Sequence, residues 1–375
     1  MAISRRVVIL LFAMIVASCR KPYTPPAIAS PNSYLVVEGI INTGGDSTII
    51  KLSKTVNISA PTTSNPVLGA TVVIENNQNA TTWPLASDNH GNYIAVGLSL
   101  PLSAKYRLAI TTTDGSYQSE FVPVISTPPI DSVGYTVSNG NVNIYVNTHD
   151  PTNQASYYRW DYQETWIFHA KYYSFLTVDT ATESVVNRLP WQYVFYCFAS
   201  DASSNILLAT TQNLSKDVVY EAPVIQIPLS SEKVEQEYSI LVRQYALPAD
   251  GYVFYQNLQQ NSEDLGSIFA PLPSTISGNI HALSNTAAQP IGYISATNSQ
   301  SKRIFILESG LPYVATVYPY DCEVDSTTNP IVTILAEAWQ HNVLLDQGPK
   351  QWAFTSADCA DCTVRGTQQT PSFWK

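Results

Sequence analysis

The stretch SYYRWDYQETWIFHA, residues 156–170, decides how the chain is read. Tyr158, Trp160, Tyr162, Glu164, Trp166 and Phe168 recur at every second position. In an extended strand they share one face, and Arg159, Asp161, Gln163 and Thr165 share the other. Glu164 stands inside the aromatic row and needs a hydrogen-bonding or cationic partner wherever that row is buried. Asp161 and Glu164 sit three positions apart, so they point to opposite faces and do not meet one substrate as an acid–base pair. Two readings of the aromatic face stand side by side. It is a wide core strand with one satisfied carboxylate, or a ligand-stacking platform made of Tyr158, Trp160, Tyr162, Glu164 and Trp166.

Strand-like stretches continue on both sides. Before it, YLVVEGII and TIIKLSKTV flank the glycine turn NTGGDS, and GATVVIEN, TTWPLA, GNYIAV, KYRLAITTT and YQSEFVPV follow with polar turns between them. About seven short strands in roughly 95 residues is the count of a small sandwich. The Gly69-Ala70-x-Val72-x-Ile74 strand, Gly91-Asn92-Tyr93 and Tyr106-Arg107-Leu108 resemble the carboxypeptidase-regulatory, transthyretin-like sandwich. Pro128 and Pro129 in STPPIDS cannot donate ladder hydrogen bonds and mark a boundary. VNIYVNTH before the aromatic stretch, and WQYVFYCFAS, APVIQIPLS, YSILVRQYAL, QPIGYISAT, KRIFIL and PIVTILAEAWQ after it, also read as strands. In LPADGYVFYQNLQQNSEDL, Tyr252, Tyr255, Leu258 and Gln259 fall at helical spacing behind Pro248. The expected fold is mostly β. An immunoglobulin-like or transthyretin-like sandwich spans residues 34–127, and a larger β-rich domain with one short helical segment spans 128–375.

The first residues carry a different signal. Arg5 and Arg6 precede an apolar run from Val7 to Ala17, too short to span a bilayer as a helix. Val16-Ala17-Ser18-Cys19 resembles the bacterial lipobox, which implies cleavage before Cys19 and acylation of that residue. An ordinary signal peptide cleaved nearby is the alternative. Residues 1–18 are thus read as a signal and residues 19–33, with four prolines, as an extended tether to a membrane. Charged residues make up only 13%, and the net charge of −10 becomes −12 once Arg5 and Arg6 leave. With no basic stripe interleaved with aromatics, nucleic acid is not an expected partner.

SYYRWDYQETW, LVVEGIIN, GSIFAPLPSTISGNI and ADCADCTVRGTQQTPSFW together resemble the DUF4249 family of Bacteroidota lipoproteins. The resemblance implies a lipid-anchored outer-membrane protein, often encoded beside TonB-dependent receptors. Many surface-exported lipoproteins of that phylum carry acidic residues just after the cysteine. Here Arg20 and Lys21 stand there, which leaves both faces of the outer membrane open. Ser47, Ser132, Thr180 and Ser326 follow aspartates in the short pattern that such proteins O-glycosylate, and plain solvated turns are the alternative.

Four cysteines remain, Cys197, Cys322, Cys359 and Cys362, and an even number in an oxidising compartment points to disulfides, with three pairings possible. A thiolate metal site or free redox thiols are the other readings. A disulfide-held C-terminus would make Pro371-Ser372-Phe373-Trp374 a docked tail. His90, His149, His169, His281 and His341 form no ligand spacing, His149-Asp150 reads as a turn, and no nucleophile elbow or phosphate loop occurs. GSIFAPLPSTISGNI, residues 266–280, is either a functional loop or a proline-fixed crossing. No catalytic residue, metal or cofactor is expected. The expected role is a non-enzymatic accessory or binding subunit, with a glycan- or matrix-binding adhesin as the alternative. Replacing the acylated residue, Cys19→Ser, is expected to move the full-length protein from the detergent phase to the aqueous phase in a cloud-point partition; retention in detergent would rule out anchoring through Cys19.

Overall fold

Tyr157–His169 is a strand of thirteen residues at the centre of a five-stranded sheet. Glu237–Ala246 pairs with it antiparallel along one side, and Gln300–Leu307 continues the sheet beyond. On the other side Leu207–Thr210 covers its first half and Tyr196–Ala202 its second. The aromatic row points inward: Tyr158 and Phe168 are fully buried and Trp160 is 2% exposed. A three-stranded sheet of Ile130–Ser138, Asn141–His149 and Val218–Pro228 covers that row, and its Val142, Ile144 and Val146 share one core with the aromatic rings. Glu164 is buried among them, as the core reading requires. It accepts from Tyr238 Oη at 2.6 Å and pairs with Lys233, whose ammonium lies 4.8 Å from the Trp166 ring centroid.

The computed structural model describes residues 34–56, 65–179, 181–182, 184–262, 278–283, 289–328, 342–347 and 351–374, all within one unit, Tyr34–Lys375. The expected signal, tether and Cys19, most of the 266–280 loop, and the expected strand PIVTILAEAWQ lie outside the described residues. Within them the fold is mostly β. The N-terminal strands form two sheets around a core that includes Ile50, Leu52, Ile74, Tyr93, Tyr106 and Leu108. Alternation explains the assignment, since Thr48–Lys54 and Lys105–Thr112 bury every second residue.

This sandwich is not completed by residues 34–127, the expected first domain. Three short strands from beyond the helix return to it. Ile280–Ala282 pairs with Gly115–Ser119, and Ile291–Gly292 runs parallel to Leu35–Gly39. Ala296–Thr297 lies between Ile41–Asn42 and Val122–Ile125, parallel to both. Pro128 and Pro129 do separate Val122–Ile125 from Ile130–Ser138, as expected, but the chain crosses back. The helix Ala249–Ser262 buries Phe254 and Tyr255 and carries the predicted helical face. Gly251 lets it approach the returning segment, because a Cβ there would meet Tyr293 Cε1 at 2.8 Å.

A buried chain of hydrogen bonds joins the two parts. Trp160 Nε1 donates to Gln244 Oε1 at 2.8 Å, and Gln244 Nε2 donates to Pro128 O at 2.8 Å and Thr148 Oγ1 at 2.9 Å. Two residues on, Ala246 N donates to Thr127 Oγ1, which lies 2.6 Å from Thr297 Oγ1 in the returning strand.

The turn after Asn141–His149 is held by Asp150, not by a catalytic pair. His149 lies 2.8 Å from an Asp131 oxygen instead. Burial works to raise the Asp150 pKa, but bonds from the Ala155, Thr152 and Gln154 amides and the Thr152 hydroxyl outweigh it and hold it at about 2. A depressed carboxylate stabilises the fold above its ordinary pKa, and that contribution is lost as the pH falls from about 4 towards 2.

The closing segment is docked. Disulfides join Cys197 to Cys362 and Cys322 to Cys359, one of the three possible pairings, and the metal and free-thiol readings of these cysteines fall with it. Arg365 Nη1 donates to both oxygens of Glu232 at 2.9 Å, and Trp374 donates to Glu237 at 3.1 Å beside Phe198 and Phe305. Lys233→Met would leave the buried Glu164 with Tyr238 alone among these two partners. It is expected to cost about 3 kcal/mol, read as a lower urea midpoint at unchanged m value.

Candidate functional site

The other face of the aromatic strand looks into a cleft. Its second wall is the outer face of Leu35–Gly39 and Thr48–Lys54 in the N-terminal sandwich. Two adjoining chambers, of about 500 and 760 Å³, share Gly39, Ile49, Arg159, Asp161 and Arg243. The smaller is polar at its rim, with Asn42, Asp46, Ser299 and Ser301. The larger reaches the helix and is lined there by Ile206, Phe254, Tyr255, Leu258 and Tyr293.

Strand register builds the floor. Antiparallel pairing sets Asp161 directly opposite Arg243 and Arg159 opposite Tyr245. Arg243 Nη1 donates to Asp161 Oδ1 at 3.0 Å, and its Nη2 reaches Gln163 Oε1 at 3.4 Å. Arg159 is held differently. Its Nη1 donates to Tyr255 Oη at 3.0 Å, and its guanidinium lies 4.5 Å from the Tyr255 ring centroid and 5.6 Å from that of Tyr245. The nearest Asp161 oxygen is 3.9 Å from Arg159 Nη2, beyond hydrogen-bond reach. Burial opposes the Arg159 charge, but Tyr255, Asp161 and Tyr245 outweigh it and raise its pKa further. Burial, then the charge of Asp161, pushes the Tyr245 phenol up against the opposing arginines, so it stays a neutral hydrogen-bonding group. Tyr293 is pushed up in the same way by burial and by its hydrogen bond to Asp250. The result is a fixed array of cationic, phenolic and apolar surface, able to hold a ligand by charge at one end and by contact at the other.

Of the residues first put forward as a platform, Trp160 and Tyr162 border the larger chamber, while Tyr158, Glu164 and Trp166 line neither chamber. All five side chains are packed in the core, none more than 7% exposed; the polar atoms of Tyr158, Trp160 and Glu164 serve the fold, and Trp166 Nε1 has no hydrogen-bond partner among the described residues. Tyr158 Oη, for instance, donates to the buried Asp217 at 2.5 Å. The strand was the informative one, but its polar face carries the cleft. Ser47 is exposed in the turn before Thr48–Lys54, and Ser326 is exposed on a short strand, Asp325–Thr327. Ser132 is half-buried within Ile130–Ser138, where it accepts from Asn147 Nδ2 at 2.9 Å, so it does not sit on an open turn. Thr180 lies outside the described residues. Among the described residues no group of three His, Cys, Asp or Glu is placed to hold a metal ion.

A family model described as Domain of unknown function (DUF4249) matches residues 20–303. The chain belongs to the DUF4249 family. The matched span of this DUF4249 chain contains every residue lining the two chambers, from Val36 to Ser301. It ends before the closing block of residues 357–374, so the disulfide-bonded tail lies outside it. A comparison with curated proteins finds no match.

Two adjacent substitutions separate core from cleft. Trp160→Ala is expected to cost about 4 kcal/mol of folding stability. Arg159→Gln, one position away on the cleft face, is expected to cost about 1 kcal/mol or less. Equal losses in thermal or urea melts would contradict the assignment of the two faces.

Proposed function

We propose that this DUF4249 chain is a non-enzymatic, lipid-anchored envelope protein that works as a binding or accessory subunit, and that the cleft floored by Arg159, Asp161 and Arg243 is its binding surface. The observation that carries this reading is the cleft itself: a concave space of ligand size, with few charged groups fixed by strand register and a largely apolar end. The lipobox at Cys19 and the proline-rich residues 20–33 support a tethered body. Asp161 and Glu164, the carboxylates closest in sequence within the strand, are divided between cleft and core, which favours recognition over acid–base chemistry. A TonB-dependent outer-membrane receptor is the partner proposed from the family resemblance, an association and not a mechanism.

One surface favours the second reading, a glycan- or matrix-binding adhesin. Phe175, Trp191 and Tyr196 are each more than half exposed, and exposed rings of this kind can stack on sugars. The two readings part in one experiment. The full-length lipidated protein is captured from detergent-solubilised native outer membranes, and everything retained is identified by mass spectrometry. A stoichiometric TonB-dependent barrel is the expected result; recovery of the protein alone would overturn the receptor association and move the weight to the exposed aromatic surface.

A further inference from the structure

We infer that the cleft takes an amphiphilic organic acid, with a carboxylate on Arg159 and an apolar body in the larger chamber. This deepens the proposed binding function and rests on it. The argument begins with charge. Two guanidiniums, Arg159 and Arg243, share one carboxylate on the floor, and Asp161 is hydrogen-bonded to Arg243 alone of the two. On the opposite wall Glu38 is paired with Lys51 at 3.3 Å, so it offers Arg159 no spare charge. Asp46, at the rim of the smaller chamber, accepts from Ser299 at 3.3 Å and does not line the larger one. Among the described residues, the larger chamber therefore carries one positive charge more than its carboxylates balance, in a protein whose net charge is −10.

Orientation makes that charge usable. Among the described residues, the one hydrogen bond of Arg159 goes to the hydroxyl of Tyr255, and the ring of the same residue backs the guanidinium at 4.5 Å. A planar fork held by a hydrogen bond and a ring, with most of its N–H donors uncommitted among the described residues, suits a carboxylate, because the two oxygens match its spacing. The surroundings select the rest of the ligand. Phe254, Leu258, Ile206 and Tyr293 line the same chamber, and its volume of about 760 Å³ exceeds the needs of a lone carboxylate. A fatty or aromatic acid and the C-terminus of an apolar peptide share this chemistry.

The test is calorimetric titration of the full chain carrying Cys19→Ser with octanoate, octanamide and N-acetyl-leucyl-phenylalanine, with Arg159 intact and with Arg159→Gln. Octanoate or the peptide acid should bind at least about tenfold more tightly than octanamide, as expected for a charge-assisted pair, and Arg159→Gln should erase that preference. Whichever acid binds names the source. Equal binding of octanoate and octanamide would overturn acid recognition while leaving a binding cleft in place. Binding of neither acid would overturn the inference, whereas the membrane capture described above still decides the receptor association. The comparison of acid with amide at intact Arg159 stands even where the variant folds poorly. In a second variant, Arg159→Lys, the charge remains without the fork, and a partial preference is expected.

Discussion

The Gln244 side chain is the joint on which the rest of the architecture turns. It is fully buried, and its amide meets Trp160 on one strand, Thr148 on the covering sheet and Pro128 on the connection between the two parts. A buried amide that lost any of these partners would carry the full penalty of desolvation, so the three elements are fixed in one arrangement and not in a family of similar ones. The neighbouring residues on the same strand, Arg243 and Tyr245, point the other way into the cleft. The seam that locks the core thus also sets the position of the binding floor, and the two cannot move independently.

Much of this was legible from spacing alone. Period-two alternation told the two faces of residues 156–170 apart, required a partner for Glu164, and separated Asp161 from Glu164. What spacing could not give was identity across distance. Lys233 and Tyr238 meet Glu164 from 69 and 74 positions away, and no local pattern announces them. QPIGYISAT was read as a strand, but its return to the first sandwich was invisible for a related reason. Ile291–Gly292 and Ala296–Thr297 are two residues each, too short to alternate, and their pairing is parallel with strands far earlier in the chain. The helix was readable because fourteen residues give 3.6-residue spacing time to repeat.

The choice of face was the instructive difference. Aromatic residues drew attention because they are large, and size is also what a core needs. A ring row on a central strand is buried by the sheet above it, while the modest polar residues between the rings are left to face whatever space remains. Arg159 is notable within that polar row. It is aligned by tyrosines, and Asp161 reaches it only at 3.9 Å while hydrogen-bonding Arg243, so its pairing is looser than that of a hydrogen-bonded ion pair.

The return of Ile280–Ala282, Ile291–Gly292 and Ala296–Thr297 to the first sandwich has a consequence for the order of assembly. Asn42 reaches Ser299 across 257 positions, and both N-terminal sheets have members that emerge only then. A chain delivered from its amino end must hold that sandwich with open edges while the whole aromatic domain is still being made. Closing so long a loop costs entropy before any of the pairing is gained, so folding of the first sandwich is slow and coupled to that of the second. The two halves are in this sense a single cooperative event, whose last stitch is also the one that shuts the back of the cleft.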